Sequence, residues 1–127
     1  MEENKTPVIN IGGTEYELCF TLNAAKAIAE KYGELENVGE ALFEKENMMQ
    51  LFDDVVWLVE LLANQGIKQY NFTHKEAPKE LLTAEEIGLF CNPVQFVEFK
   101  DAILGALLKG SMRNILSEDT IKNMQGE

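Results

Sequence analysis

Apolar residues are densest from Leu51 to Ala63, in the run LFDDVVWLVELLA. At about 100° per residue this run makes a helix, with Leu51, Phe52, Val55, Val56, Leu58, Val59, Leu62 and Ala63 on an arc of roughly 160°. Asp53, Asp54, Glu60 and Asn64 fall on the other side, and Trp57 and Leu61 stand among them one turn apart. A wide arc with a second apolar pair predicts a central helix packed on two sides. Asn47 is placed to cap it, Met48 and Met49 extend its arc, and Asn64-Gln65-Gly66 is an expected end.

The period changes elsewhere along the chain. Val8 to Ile11 alternates around Asn10, Gly12-Gly13 is a two-residue turn signal, and Tyr16, Leu18 and Phe20 recur every second residue. That pattern predicts a β-hairpin with one apolar face, which must lie on helices because a lone hairpin is marginal in water. A helix is expected from Leu22 to Tyr32, capped by Thr21 or Asn23, stopped by Gly33, with Ala25, Ile28, Ala29 and Tyr32 as its inner stripe. A weaker one spans Glu36 to Lys45, with Val38, Ala41, Leu42 and the Lys45 stem inside. Ile67 to Lys79, with Tyr70, Phe72, His74 and Pro78, is expected to be irregular. Thr83 and Glu86 form a capping box for a short helix ending near Phe90. Asn92-Pro93 starts a last helix reaching Lys109, with Phe96, Val97, Phe99, Ile103, Leu104, Leu107 and Leu108 inward and the Lys100 stem along the same surface. Ser117 is a candidate cap for one more short helix.

These elements give a mainly α (α+β) fold, an N-terminal hairpin on a bundle of four to five helices. The 127 residues are read as a single domain with a core at about 8–110 and loosely held ends at 1–6 and 111–127. The net charge of −11 argues against direct nucleic-acid binding and against anionic membrane surfaces, and favours a basic or apolar partner. The charge is uneven: Glu34 to Glu60 holds eight acids and one base. Cys19 and Cys91 each neighbour a phenylalanine and read as small hydrophobes. The opening MEENKTPVINIGG lacks a basic segment followed by an apolar one, so no secretory leader is expected, and a cytoplasmic protein is.

Catalytic and metal chemistry is poorly supplied. One histidine and two distant cysteines do not make a zinc site, and Gly12-Gly13 lacks the surroundings of a phosphate-binding loop. Cys91 and His74 are a conceivable nucleophile and base, yet nothing in the chain order brings them together. Glu85-Glu86 fits a first helical turn. No enzyme activity, cofactor or metal is expected.

The run INIGGTEYELCFTLNAAKAIAEKYGELENVGEAL resembles the opening of tail assembly chaperones of long-tailed bacteriophages and prophages. In that family a Gly-Gly hairpin leads to an F-T-L-N-A helix ending in K-Y-G, here Phe20, Thr21, Leu22, Asn23, Ala24, Lys31, Tyr32 and Gly33. The Leu82 to Gly88 segment and the helix after Asn92-Pro93 are similar too, so the resemblance covers about Val8 to Gly110. It implies a protein that binds the long, aggregation-prone tape measure protein in the bacterial host cell and keeps it soluble until tail-tube subunits polymerise around it. It implies the tail-tube protein as a further partner, and a homo-oligomer is compatible with it.

Pattern, rather than the family, supplies the candidate contacts. Trp57, Leu61, Met48 and Met49, and next Tyr70 and Phe72, are apolar positions on otherwise polar stretches, suited to engage helical segments of a client. The alternative is an acidic inhibitor or DNA mimic that occupies the basic groove of a nucleic-acid-binding protein, motivated by the Glu34 to Glu60 charge. A structural protein of the virion is a third.

Overall fold

The computed structural model describes residues 6–44 and 47–115, with side chains up to residue 109. The chain folds as a two-stranded antiparallel hairpin followed by five helices, an α+β fold. The expectations for the Lys45 stem, for Ser117 as a cap and for the last residues lie outside the described part.

β1 (Val8–Ile11) pairs with β2 (Thr14–Glu17) in the register Ile11↔Thr14 to Val8↔Glu17. Gly12 and Gly13 join them with φ of 61° and 90°, the two positive values a type I′ turn requires. Ile9 and Ile11 bury one face, and Leu18, whose N–H donates to Pro7 O, continues it.

α1 (Leu22–Tyr32) is capped by the Thr21 hydroxyl, which accepts from Ala24 N, and ends at Gly33 with φ 90°. Its buried face is set one residue away from the expected stripe: Ala24 and Ile28 are buried, while Ala29 is exposed. α2 (Leu35–Phe43) buries Val38, Ala41 and Leu42. α4 (Ala84–Phe90) carries the expected capping box between Thr83 and Glu86.

α3 (Met48–Thr73) is the axis of the molecule. Asn47 caps it by accepting from Gln50 N, as expected, but the helix does not stop at Gly66. The reason is packing. A Cβ at Gly66 would lie 3.3 Å from Glu17 O and 3.2 Å from Cys19 Sγ, so glycine is present for close approach of the hairpin's exit. There the Cys19 N–H donates to Leu62 O, within α3 itself.

Asp54 and Gln65, expected on a polar face or at the helix end, are buried. Asp54 Oδ1 accepts from Tyr32 OH at 2.8 Å, and Gln65 Oε1 accepts from the Thr21 hydroxyl. These two bonds run α1 antiparallel to α3 and widen the buried arc of α3 to roughly 220°.

The expected irregular segment is also ordered differently. Ile67 to Thr73 is helical, and only residues 74–83 lie outside regular structure. This return segment runs back along α3 on three side chains of one helical face. Asn71 exchanges two hydrogen bonds with the backbone of Lys79, at 2.7 and 2.9 Å. Asn64 does the same with Leu82, at 2.7 and 2.8 Å, and Glu60 accepts from Ala84 N. Polar residues that read as a solvated stripe are a track for the chain's own backbone.

α5 (Gln95–Ile115) begins beyond Asn92-Pro93, where Asn92 Oδ1 accepts from Val94 N and Gln95 N and Gln95 Oε1 accepts from Asn92 N. It continues past Gly110 rather than ending at Lys109. Phe99, Ile103, Ala106 and Leu107 are buried, whereas Val97 and Leu108, expected inside, are exposed. They sit toward the edge of the helical arc.

Candidate functional site

The sequence candidates are strung along α3, about 39 Å long at 1.5 Å per residue, and do not meet on one surface. Trp57 and Leu61 are half-buried against the core. The Trp57 ring meets the Tyr32 ring edge-on at 6.0 Å, and Lys31 Nζ lies 5.0 Å from its centroid. Beside Leu61 is a shallow depression of about 200 Å³, shared with Gln65 and Lys68. Tyr70, at the far end, stacks on His74 at 3.8 Å with Lys79 Nζ 4.3 Å from its ring. Phe72 is exposed, with Lys75 Nζ 5.3 Å from its ring.

Met48 and Met49 have a different setting. Both are exposed and stand one turn before Phe52, on either side of the arc that turns toward α4 and α5. Phe52, Val55 and Val56 form the α3 wall of a groove of about 320 Å³. Gly88 and Cys91 supply its second wall, and Pro93 and Phe96 its third. The Phe52 and Phe96 rings meet edge to face at 4.7 Å. Lys100 Nζ lies 5.8 Å from Phe96 and 4.9 Å from Phe43, its stem along apolar surface as the spacing predicts.

Around the groove the outer surface is apolar as well. Leu89 and Phe90 close α4, Val94 lies just before α5, and Val97 is in its first turn. All four are more than half exposed. Four large apolar side chains within nine residues exceed the scattered exposure normal for a monomer. Leu89 lies on the side of α4 away from buried Ile87, while the Phe90 ring leans on Gly12. The signal in the sequence was available. Leu89-Phe90 and Val94 flank Asn92-Pro93, where helix ends meet and little is left to cover them. Phe52, Val56 and Phe96 were assigned wholly to the core.

The groove's only titratable wall residue is Cys91, and burial pushes its thiol up from the ordinary range. It is therefore neutral and acts as a small hydrophobe. Cys19 is raised too, by burial and then by Glu17, with Lys109 opposing. Cys91 and His74 are not brought together: Cys91 lines the groove near Val56, and His74 follows the opposite end of α3. Among the described residues no group of three or more His, Cys, Asp or Glu stands close enough to hold a metal ion. Likewise, no described helix is long and apolar enough to cross a membrane.

What this arrangement offers is apolar area with little directional chemistry: two facing phenylalanines, two flexible methionines and a rim of exposed aliphatic side chains. It suits an apolar polypeptide face better than a small polar substrate. No family model, no curated protein and no solved structure matches this chain.

Proposed function

We propose that this chain is a tail assembly chaperone, a non-enzymatic cytoplasmic protein that holds a tape measure protein soluble during tail-tube assembly. One structural observation supports the reading: the apolar α3–α4–α5 groove, with exposed Leu89, Phe90, Val94 and Val97 close by in the chain. An apolar segment of a long helical client has a place to bury there, while the net charge of −11 keeps the complex in solution. The resemblance from the hairpin to α1 names the client, and the groove supplies a seat for it. Met48 and Met49 extend that seat, and Trp57, Leu61, Tyr70 and Phe72 lie outside it.

The DNA-mimic alternative draws less support. A mimic needs its acids displayed, and of the eight between Glu34 and Glu60, Asp54 is buried against Tyr32 and Glu60 accepts from Ala84 N.

Co-expression with a tape measure protein tests the proposal. Wild type is expected to raise the soluble fraction of the client. Phe96→Glu and Val94→Glu are expected to lose that effect, whereas Trp57→Ala/Leu61→Ala retains most of it. If Trp57→Ala/Leu61→Ala loses the client and the groove variants keep it, the seat is on the α1 side of α3. If wild type leaves the client insoluble, the chaperone reading fails.

A further inference from the structure

A second concavity measures about 400 Å³ and lies between β2 and the return segment, with Gly66, Ile67 and Tyr70 of α3 as its floor. We propose that this cleft takes a short extended segment of a basic polypeptide, added as a third strand on the outer edge of β2.

The backbone argument comes from the register. In a hairpin closed by a two-residue turn, Ile11 and Thr14 form the hydrogen-bonded pair next to the turn, so the next pair, Asn10↔Glu15, points its backbone groups outward. On the β1 side the outward carbonyl of Asn10 accepts from Gln95 Nε2 at 3.2 Å, so α5 covers that edge. On the β2 side Glu17 abuts Gly66, so α3 closes the edge there. Between that closure and the turn the N–H and C=O of Glu15 face the cleft, and among the described residues nothing bonds them. An exposed strand edge is a template for another strand.

The opposite wall is built to stay open. Lys79 is held by both hydrogen bonds from Asn71, which keeps its backbone on α3. Its amine is over the Tyr70 ring rather than across the cleft.

Charge selects the occupant. Glu15, Glu17 and Glu80 line the cleft, and Lys79 is its one basic residue. Lysine or arginine at alternate positions of an added strand would meet these carboxylates, with small apolar residues between them over the floor. This inference is independent of the chaperone reading, since it concerns another face of α3.

The test uses the full chain, labelled with ¹⁵N, and an acetylated, amidated six-residue peptide alternating lysine with valine or alanine. Saturable shifts at the Glu15 and Lys79 amides, with slowed exchange at Glu15, are expected. Glu15→Pro removes the outward donor, which β1 does not use, together with the Glu15 carboxylate, and Pro is tolerated at such an edge. It should weaken binding about tenfold, the worth of one or two hydrogen bonds. The same peptide N-methylated at alternate residues keeps its side chains but cannot pair, and it should fail to bind an unaltered protein. The proposal is overturned if the N-methylated peptide binds equally well. It is also overturned if shifts are confined to the Phe52–Phe96 groove, or if the Glu15 amide moves with protein concentration alone, which would assign the cleft to a second copy.

Discussion

The two halves of α3 are held by different chemistry. From Leu51 to Ala63 the helix is clamped by apolar burial: Val55, Leu58, Val59 and Leu62 have no exposed surface at all. From Asn64 to Thr73 it is held by a bare backbone approach at Gly66 and by asparagine side chains that grip the returning chain. The first half is insensitive to detail as long as volume and apolarity are kept. The second depends on particular atoms, and a single substitution there changes what the helix is tied to. The comparison also separates the two clefts. The apolar groove lies along the first half, and the cleft beside β2 opens over the second.

The largest effect is expected in the first half. Leu58→Ala should destabilise the protein by about 2–5 kcal/mol, as a fully buried leucine leaves a cavity behind. Urea denaturation measures it, and a loss below about 1 kcal/mol would mean that this half is not the centre of the core. Next comes Gly66→Val. Its side chain must push on Glu17 O and Cys19 Sγ, and a loss of about 1–3 kcal/mol is expected despite the better helix propensity. A gain in stability would show that the hairpin's exit yields easily and that the halves differ less than their contacts suggest.

The asparagines grade the second half internally. Asn64→Ala strips both partners from Leu82, which is buried, so about 1–3 kcal/mol is expected. Asn71→Ala strips them from Lys79, which is exposed and turns to water instead, so the loss should stay below about 1 kcal/mol. Hydrogen exchange gives the sharper readout: each variant should deprotect the amide it released, Leu82 or Lys79, and leave the other nearly unchanged. Equal deprotection of both would make the return segment one cooperative unit.

The same contrast explains what could be read from the chain alone. The period of apolar residues placed the hairpin, α1, the start of α3 and α4, because each has local signals: Gly12-Gly13, Thr21, Asn47, and Thr83 with Glu86. Gly66 misled, since a glycine that ends a helix and one that admits a neighbour look identical until the neighbour is known. Asn64 misled for a related reason, and Asn71 carried no signal of its own. Their partners are 18 and 8 residues away, and no local rule anticipates a side-chain amide bonding to a passing backbone. The groove was half legible. Met48 and Met49 read either as core filler or as adaptable contacts and are exposed, but Phe52 and Phe96 read as core because their period matches the buried face, and only the meeting of three helix ends leaves them accessible.

The smallest expected effect tests a buried polar clamp on the apolar half. Tyr32 donates to Asp54 at 2.8 Å, within an otherwise hydrophobic seam between α1 and α3. Burial first, then the hydrogen bond and charge of Asp54, hold the phenol well above the ordinary tyrosine range. The ionised form is disfavoured only in the folded state, so this contribution is fully present below about pH 10, the unfolded value, and is lost as pH rises beyond it. Tyr32→Phe should therefore cost about 1 kcal/mol at neutral pH. Its deficit should shrink in alkaline solution, where the wild-type chain gains by unfolding and ionising Tyr32 and the variant does not. The difference between the two proteins, followed by denaturation from neutral to alkaline pH, cancels every contribution they share. A deficit that stays constant across that range would place the phenol in water. The Tyr32 clamp would then add nothing to the apolar burial that holds the first half of α3.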